Sequence, residues 1–139
     1  MHQECIYCSR DERLEKLMIE IMELSVSTLY LFKEQTYFGR CLIALNEHQR
    51  EIFHLSEATR SLLMADMAKV AGAIEKAFLP DKINYGSYGD TMPHVHFHIV
   101  PKYKDMEMWG QPFEINPNRV YFTDEQYQGM IEKLIKYLA

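Results

Sequence analysis

The stretch His94-Val95-His96-Phe97-His98-Ile99-Val100 decides how the chain is read, because three imidazoles alternate with apolar side chains. Along an extended strand successive side chains point to opposite faces. His94, His96 and His98 therefore share one face, while Val95, Phe97 and Ile99 point the other way, into a core. Neighbouring rings of such a row stand roughly 6.5–7 Å apart, about twice the rise per residue. A plain core strand has no reason to carry three polar rings on one face, so the row is read as chemistry. Pro101 closes this strand at Val100.

Outward from the row, the chain alternates helices and strands without a regular β-α-β rhythm. Leu14, Leu17, Met18, Ile21 and Met22 recur at helical spacing, with Glu15, Lys16, Glu20 and Glu23 between them, which predicts an amphipathic helix over Leu14 to Leu24. Val26 to Phe32 and Cys41 to Leu45 are rich in β-branched and aromatic residues and predict a hairpin with its loop around Glu34 to Gly39. Ser56 is an N-cap for a long helix with Glu57 in its first turn. Leu62, Leu63, Met67, Val70, Ile74 and Phe78 line one face until Pro80 stops it. Ile83 to Ser87 predicts a short strand, and Gly86, Gly89 and Asp90 carry the chain through a loop to the histidine strand. Thr123 caps a last helix through Ile131, Leu134 and Leu138. This order predicts an α+β domain with an antiparallel sheet. At 139 residues, the whole chain 1–139 fits one domain.

Composition narrows the function classes. Hydrophobic residues make up 47% and charged residues 25%, as expected for a globular protein with a real core. The formal net charge of −5 argues against a nucleic-acid polymer as partner, since backbone-driven binding needs a basic face. No apolar run reaches the length of a membrane span, and Met1-His2-Gln3-Glu4-Cys5 has no signal-peptide character. A cytoplasmic location is expected. The chain has three cysteines, two of them as Cys5-x-x-Cys8, a spacing of soft ligands suited to zinc or to redox work. A reduced thiol pair without metal is the plain alternative.

Imidazole suits nucleophilic attack on phosphorus, because with an ordinary pKa near 6.5 a large fraction is neutral at pH 7. Attack would give a phosphoramidate that water later hydrolyses, splitting one displacement into two easier ones. The attacking nitrogen must be bare while the other carries the proton. Other histidines on the same face can donate to phosphate oxygens as charge develops.

The row His94 to Val100 resembles the His-φ-His-φ-His-φ-φ signature of the histidine triad family of nucleotide hydrolases and transferases. The resemblance takes in the Cys5-x-x-Cys8 start, the strand pair up to Leu45, Asn46-Glu47-His48 before a helix, and the loop Asn84 to Pro93. It implies an α+β domain with a five-stranded antiparallel sheet, a long central helix and further helices at both ends, usually paired as a homodimer. It implies that the middle histidine, His96, is the nucleophile, that His98 contacts phosphate, and that His94 orients the site or ligates metal. Thr91, three residues before the first histidine, would bond the phosphate or leaving-group side. Asn84 would present its amide to the leaving phosphate, or would simply end a strand. Some members complete a zinc site with residues matching His48 and His94, so the resemblance implies a closed, structural Cys2His2 site of Cys5, Cys8, His48 and His94. Trp109 lies in the segment that, in the family, often reaches the dimer partner's site.

The chain departs from the family pattern in two places. Gly39-Arg40 stands where members commonly carry Gly-His; Arg40 either faces phosphate or is an exposed strand arginine. The ribose-binding Asp or Asn of the first strand has no clear match, and Glu34 is the candidate, since a carboxylate accepts from both ribose hydroxyls. The remaining aromatics Tyr85, Tyr88 and Phe113 are read as packing, Cys41 as a buried small hydrophobe, and His2 and His54 as residues without motif context. The expected substrates are dinucleoside polyphosphates or nucleoside phosphoramidates. Two rivals stay open. One is a metallohydrolase with His94 and His96 on a catalytic metal. The other is a nucleotide-binding regulatory module with little turnover.

Overall fold

The computed structural model describes residues 2–139. The strands are β1 (Met18–Glu23), β2 (Ser27–Phe32), β3 (Cys41–Leu45), β4 (Lys82–Gly86) and β5 (His96–Lys102). They form one five-stranded antiparallel sheet in the order β1-β2-β3-β5-β4. The helices are α1 (Ile6–Ser9), α2 (Glu12–Leu17), α3 (Glu57–Phe78) and α4 (Asp124–Ile135). This is the α+β arrangement expected from the sequence. No helix among the described residues is long and apolar enough to cross a membrane.

One face of the sheet carries Leu29, Leu31, Cys41, Ile43 and Ile99 against Val70, Ile74 and Phe78 of α3 and Ile131 and Leu134 of α4. Cys41 is the buried apolar residue that its neighbours imply. Ser56 caps α3 by accepting from the Thr59 N–H at 3.1 Å. Thr123 and Gln126 form a reciprocal capping box on α4, so both predicted N-termini coincide with real ones. Asp66 of α3 reaches the β1–β2 turn, where it accepts from the Ser25 and Val26 N–H groups and from the Ser25 and Ser27 hydroxyls. That clamp fixes how the long helix lies across the sheet.

The structure corrects several expectations. Leu14 to Leu24 is not one helix: α2 ends at Leu17 and the chain continues as β1, paired with β2 from Met18↔Phe32 to Glu23↔Thr28. A short apolar run fits either period, and here β2's open edge decides, with a register shift between Glu20 and Met22 absorbing the mismatch. Leu62 on α3 is exposed. β5 runs through Pro101 to Lys102 instead of stopping before it. Pairing with β3 has already ended at Cys41↔Ile99, so the proline faces only β4.

The opposite face of the sheet is covered by the N-terminal segment. Leu42 and Ala44 of β3 lie beside His98 and His96 of β5 and pack with Tyr7, Leu14, Met18, Tyr30 and Phe32. Arg10 ties α1 down, its Nη2 donating to Thr28 Oγ1, which donates in turn to Asn46. The β2–β3 loop is held by Gln35, which donates from Nε2 to the Phe32 and Arg40 carbonyls and accepts from the Gly39 N–H at 2.7 Å. Gly39 has φ +91°, and a Cβ there would meet Phe78 at 2.6 Å. Gly39→Ala is therefore expected to cost about 1–3 kcal/mol of stability, read as a lower urea midpoint at unchanged m-value.

Candidate active site

All three histidines of the row are buried. Each has one ring nitrogen committed to a partner whose polarity is unambiguous. His96 Nδ1 lies 2.6 Å from the His94 carbonyl oxygen, which can only accept, so Nδ1 carries the proton and Nε2 keeps its lone pair. His94 Nε2 lies 2.6 Å from the Leu45 carbonyl and donates to it, which leaves Nδ1 bare. His98 Nδ1 lies 2.9 Å from Arg40 Nη2, which can only donate, so His98 accepts there and its proton sits on Nε2. The ring centroids of His96 and His98 are 5.6 Å apart, edge to face at 68°, closer than an ideal strand row.

Burial lowers the pKa of His94 and of His96, partly offset by their carbonyl hydrogen bonds, so both are neutral at pH 7. His98 is pushed down to about 3 by burial first, then by the Arg40 charge and by His96. The pair His96 and His98 thus presents one bare nitrogen and one N–H side by side.

Arg40 is not the exposed strand arginine that was one of its two readings: its exposure is 0%. Its Nη1 and Nη2 donate to the Glu114 and Ile115 carbonyls, and its guanidinium lies over Phe32 and Phe113 at 4.3 and 5.2 Å. Tyr7 was absent from the sequence reading, yet its ring lies 5.3 Å from His94 and 5.1 Å from His96. Its place between Cys5 and Cys8 was the available signal. Tyr88 and Phe113, read as packing, close over His98 at 6.2 and 6.0 Å.

A second constellation adjoins the row. The donor atoms of Cys5, Cys8, His48 and His94 all lie within 4.8 Å of one another. Cys5 Sγ is 3.2 Å from His94 Nδ1, Cys8 Sγ is 3.2 Å from His48 Nδ1, and the two Nδ1 atoms are 3.0 Å apart. A tetrahedral ion with ordinary Zn–S and Zn–N bonds sets ligand–ligand edges of about 3.3–3.8 Å. The quartet fits such an ion with small adjustments, and the Leu45 carbonyl already holds His94 in the ligating tautomer. His2, without motif context in the sequence, stacks on His48 with ring centroids 3.8 Å apart.

The other candidates disperse. Thr91 is exposed and lines a cleft of 590 Å³ with His48, Arg50 and Pro93. Asn84 lies on the histidine side of the sheet but opposite Val100, where Lys102 Nζ approaches its Oδ1 at 3.4 Å and Trp109 lines the same groove. Glu34 is buried, and its carboxylate accepts from the Arg119 and Val120 N–H groups and from the N–H and hydroxyl of Thr36. Three of those four donors converge on Oε2, and Oε1 accepts from the Thr36 N–H alone. Glu34 fastens the C-terminal segment to the β2–β3 loop.

A five-stranded antiparallel sheet thus carries buried, tautomer-fixed histidines beside a thiol–imidazole quartet. The HIT domain family model matches residues 16–105, and the chain belongs to this, the histidine triad, family. A curated relative, adenosine 5'-monophosphoramidase hnt1 of Schizosaccharomyces pombe, is 24% identical over 136 residues, covering 92% of this chain and 98% of its own. Among solved structures, a histidine triad protein of Bradyrhizobium japonicum superposes with a TM-score of 0.84 at 23% identity, covering 93% of this chain and 96% of its own. A zinc-bound histidine triad family protein of Mycobacterium smegmatis gives 0.69 at 20% identity, covering 96% and 95%.

Burial alone would raise the Glu34 pKa, but the Thr36 hydroxyl and the Val120, Arg119 and Thr36 N–H groups hold it below the ordinary carboxylate value. A depressed folded pKa contributes stability that is full above the unfolded value, near pH 4.3, and lost as pH falls through the folded one. Glu34→Gln should flatten the acid limb of the stability profile below about pH 4.3 and speed hydrogen exchange at the Arg119 and Val120 amides.

Proposed function

We propose that the chain is a nucleotide hydrolase or nucleotidyl transferase that works through a covalent nucleotidyl-His96 intermediate. The observation that carries this reading is the 2.6 Å hydrogen bond from His96 Nδ1 to the His94 carbonyl, which leaves Nε2 unprotonated and available as a nucleophile. Nε2 attacks the α-phosphorus of a nucleoside phosphoramidate or dinucleoside polyphosphate. A P–N bond forms as the bond to the amine or phosphate leaving group breaks. Water then attacks phosphorus, the P–N bond breaks, and the nucleoside monophosphate leaves with His96 restored. His98, a neutral Nε2–H donor, stabilises the charge that gathers on the phosphoryl oxygens. The phosphoramidase activity named for the fission-yeast relative supports this substrate class.

Thr91 and Asn84 remain candidates for the leaving-group side, Thr91 from the loop before the row and Asn84 from the edge strand. Cys5, Cys8, His48 and His94 would hold a zinc ion, which supplies a structural closure joining the N-terminal segment to the histidine row. A catalytic metal on His94 and His96 fits poorly, because His96 Nδ1 is spent on a carbonyl and His94 turns its free nitrogen to the thiols. A homodimer is part of this reading, with Trp109, half-exposed beside Lys102, as the residue to test for contact with a partner copy.

The exposures of 6% for His96 and 5% for His98 favour a second reading, a nucleotide-binding module with little turnover, because substrate must open the site to enter. Steady-state kinetics over a panel of nucleoside phosphoramidates and dinucleoside polyphosphates separates the two. His96→Ala is expected to abolish hydrolysis while the chain still folds, and the wild type quenched during turnover should show a nucleotidyl adduct on His96 by mass spectrometry. Near-normal hydrolysis by His96→Ala would sink the covalent mechanism. Elemental analysis is expected to find one zinc per chain, lost in Cys8→Ser with His48→Ala, and chelation should lower the thermal midpoint.

A further inference from the structure

Arg40 is a buried cation without a salt bridge, acted on by the Glu34 carboxylate only at longer range. The salt bridges among the described residues are Arg10–Glu20 and Arg13–Asp11, both near the surface. Arg40 instead meets two carbonyls, two aromatic faces and the bare Nδ1 of His98. Its Nε is the buried side-chain polar atom without a partner among the described residues. Burial pushes the guanidinium pKa down to about 10, so it stays protonated at neutral pH. Holding a charge at this depth without a direct ion pair costs folding energy that a neutral residue would not. Such a cost is understandable where an anion arrives later.

We propose that Arg40 is a positioning residue for the phosphate site, acting through His98. Arg40 fixes His98 in the Nε2–H tautomer and supplies the positive charge that makes this site select anionic phosphoryl groups. The proposal rests on the reading of His98 as the phosphate donor. Its logic is a relay: guanidinium N–H to imidazole Nδ1, imidazole Nε2–H to a phosphoryl oxygen. A cation behind the ring polarises it, so the Nε2–H bond strengthens as negative charge accumulates at phosphorus. Because the hydrogen-bonded loop and two carbonyls hold the guanidinium in place before substrate arrives, little reorganisation is needed during reaction.

Two substitutions separate the hydrogen bond from the charge. Arg40→Gln retains an N–H donor toward His98 without charge, and Arg40→Met removes both. Ring-nitrogen NMR of the wild type should show His98 neutral, with the proton on Nε2, throughout pH 5–8. Arg40→Gln should keep that tautomer, whereas Arg40→Met should give mixed tautomers. Inorganic phosphate, titrated against the same resonances, should bind Arg40→Gln about tenfold more weakly than wild type. Hydrolysis of a nucleoside phosphoramidate should show kcat reduced about tenfold in Arg40→Gln and about a hundredfold in Arg40→Met, with KM changed much less. A wild-type His98 protonated on Nδ1, or equal phosphate binding by wild type and Arg40→Gln, would overturn the proposal. The wild-type spectrum and the glutamine variant decide the matter even if Arg40→Met does not fold. The tautomer and the phosphate titration are read without turnover, so a failure of the hydrolase reading is distinguishable from a failure of this one.

Discussion

The arrangement depends on one constraint: β5 is an inner strand buried on both of its faces. Ile99 is sealed under α3, and on the other side His96 and His98 lie under the N-terminal segment and the aromatics Tyr7, Tyr88 and Phe113. A polar ring in that position must find a partner for any nitrogen it hides, since an unpaired buried group is costly. The partners within reach are backbone carbonyls and one guanidinium, and neither kind can reverse its hydrogen-bond polarity. Packing therefore dictates protonation. The same alternation that puts Phe97 and Ile99 into the core hands each histidine to a different neighbour.

Three chemically equal side chains acquire three unequal roles this way. Donating from Nε2 to Leu45 leaves His94 with Nδ1 free, the nitrogen that points at Cys5 and His48. Donating from Nδ1 to His94's own carbonyl leaves His96 with Nε2 free, away from that cluster. Accepting from Arg40 makes His98 a donor at Nε2. The His94 residue is shared: its ring faces the thiols and its carbonyl fixes the tautomer of His96. The thiol–imidazole quartet and the candidate nucleophile are thus mechanically joined through one residue, and Tyr7, between the two cysteines, packs on both rings.

Much of this was legible in the sequence because it rests on period and spacing. The alternation of His94 to Val100, the caps Ser56 and Thr123, and the Cys5-x-x-Cys8 pair depend on local pattern, whereas His48 and His94 join that pair only through the family resemblance. What failed depends on tertiary choice. Met18 to Glu23 satisfies a helical period as well as a strand period, and only β2's unpaired edge settles it. Pro101 looks like a stop until the neighbouring strand is seen to have ended first. Arg40 was ambiguous because nothing local says that two carbonyls 74 and 75 residues away will bury it. Glu34 shows the same distance effect: nothing local says that amides 85 and 86 residues distant will bond its carboxylate.

Glu34 and Arg40 are best understood together. Both sit in the loop between β2 and β3, and an ion pair between them would neutralise the cation beside His98. The carboxylate is instead bonded to Thr36, Arg119 and Val120, so it stabilises the loop and acts on the guanidinium only at longer range, while Arg40 makes its direct contact with His98. Gln35 completes the separation, since its amide binds the carbonyl of Arg40 and the N–H of Gly39 and holds the backbone on which Arg40 is mounted. A chain of net charge −5 can in this way present a positive locus at one site, because local field depends on which charges are paired and how deeply they lie, not on their sum.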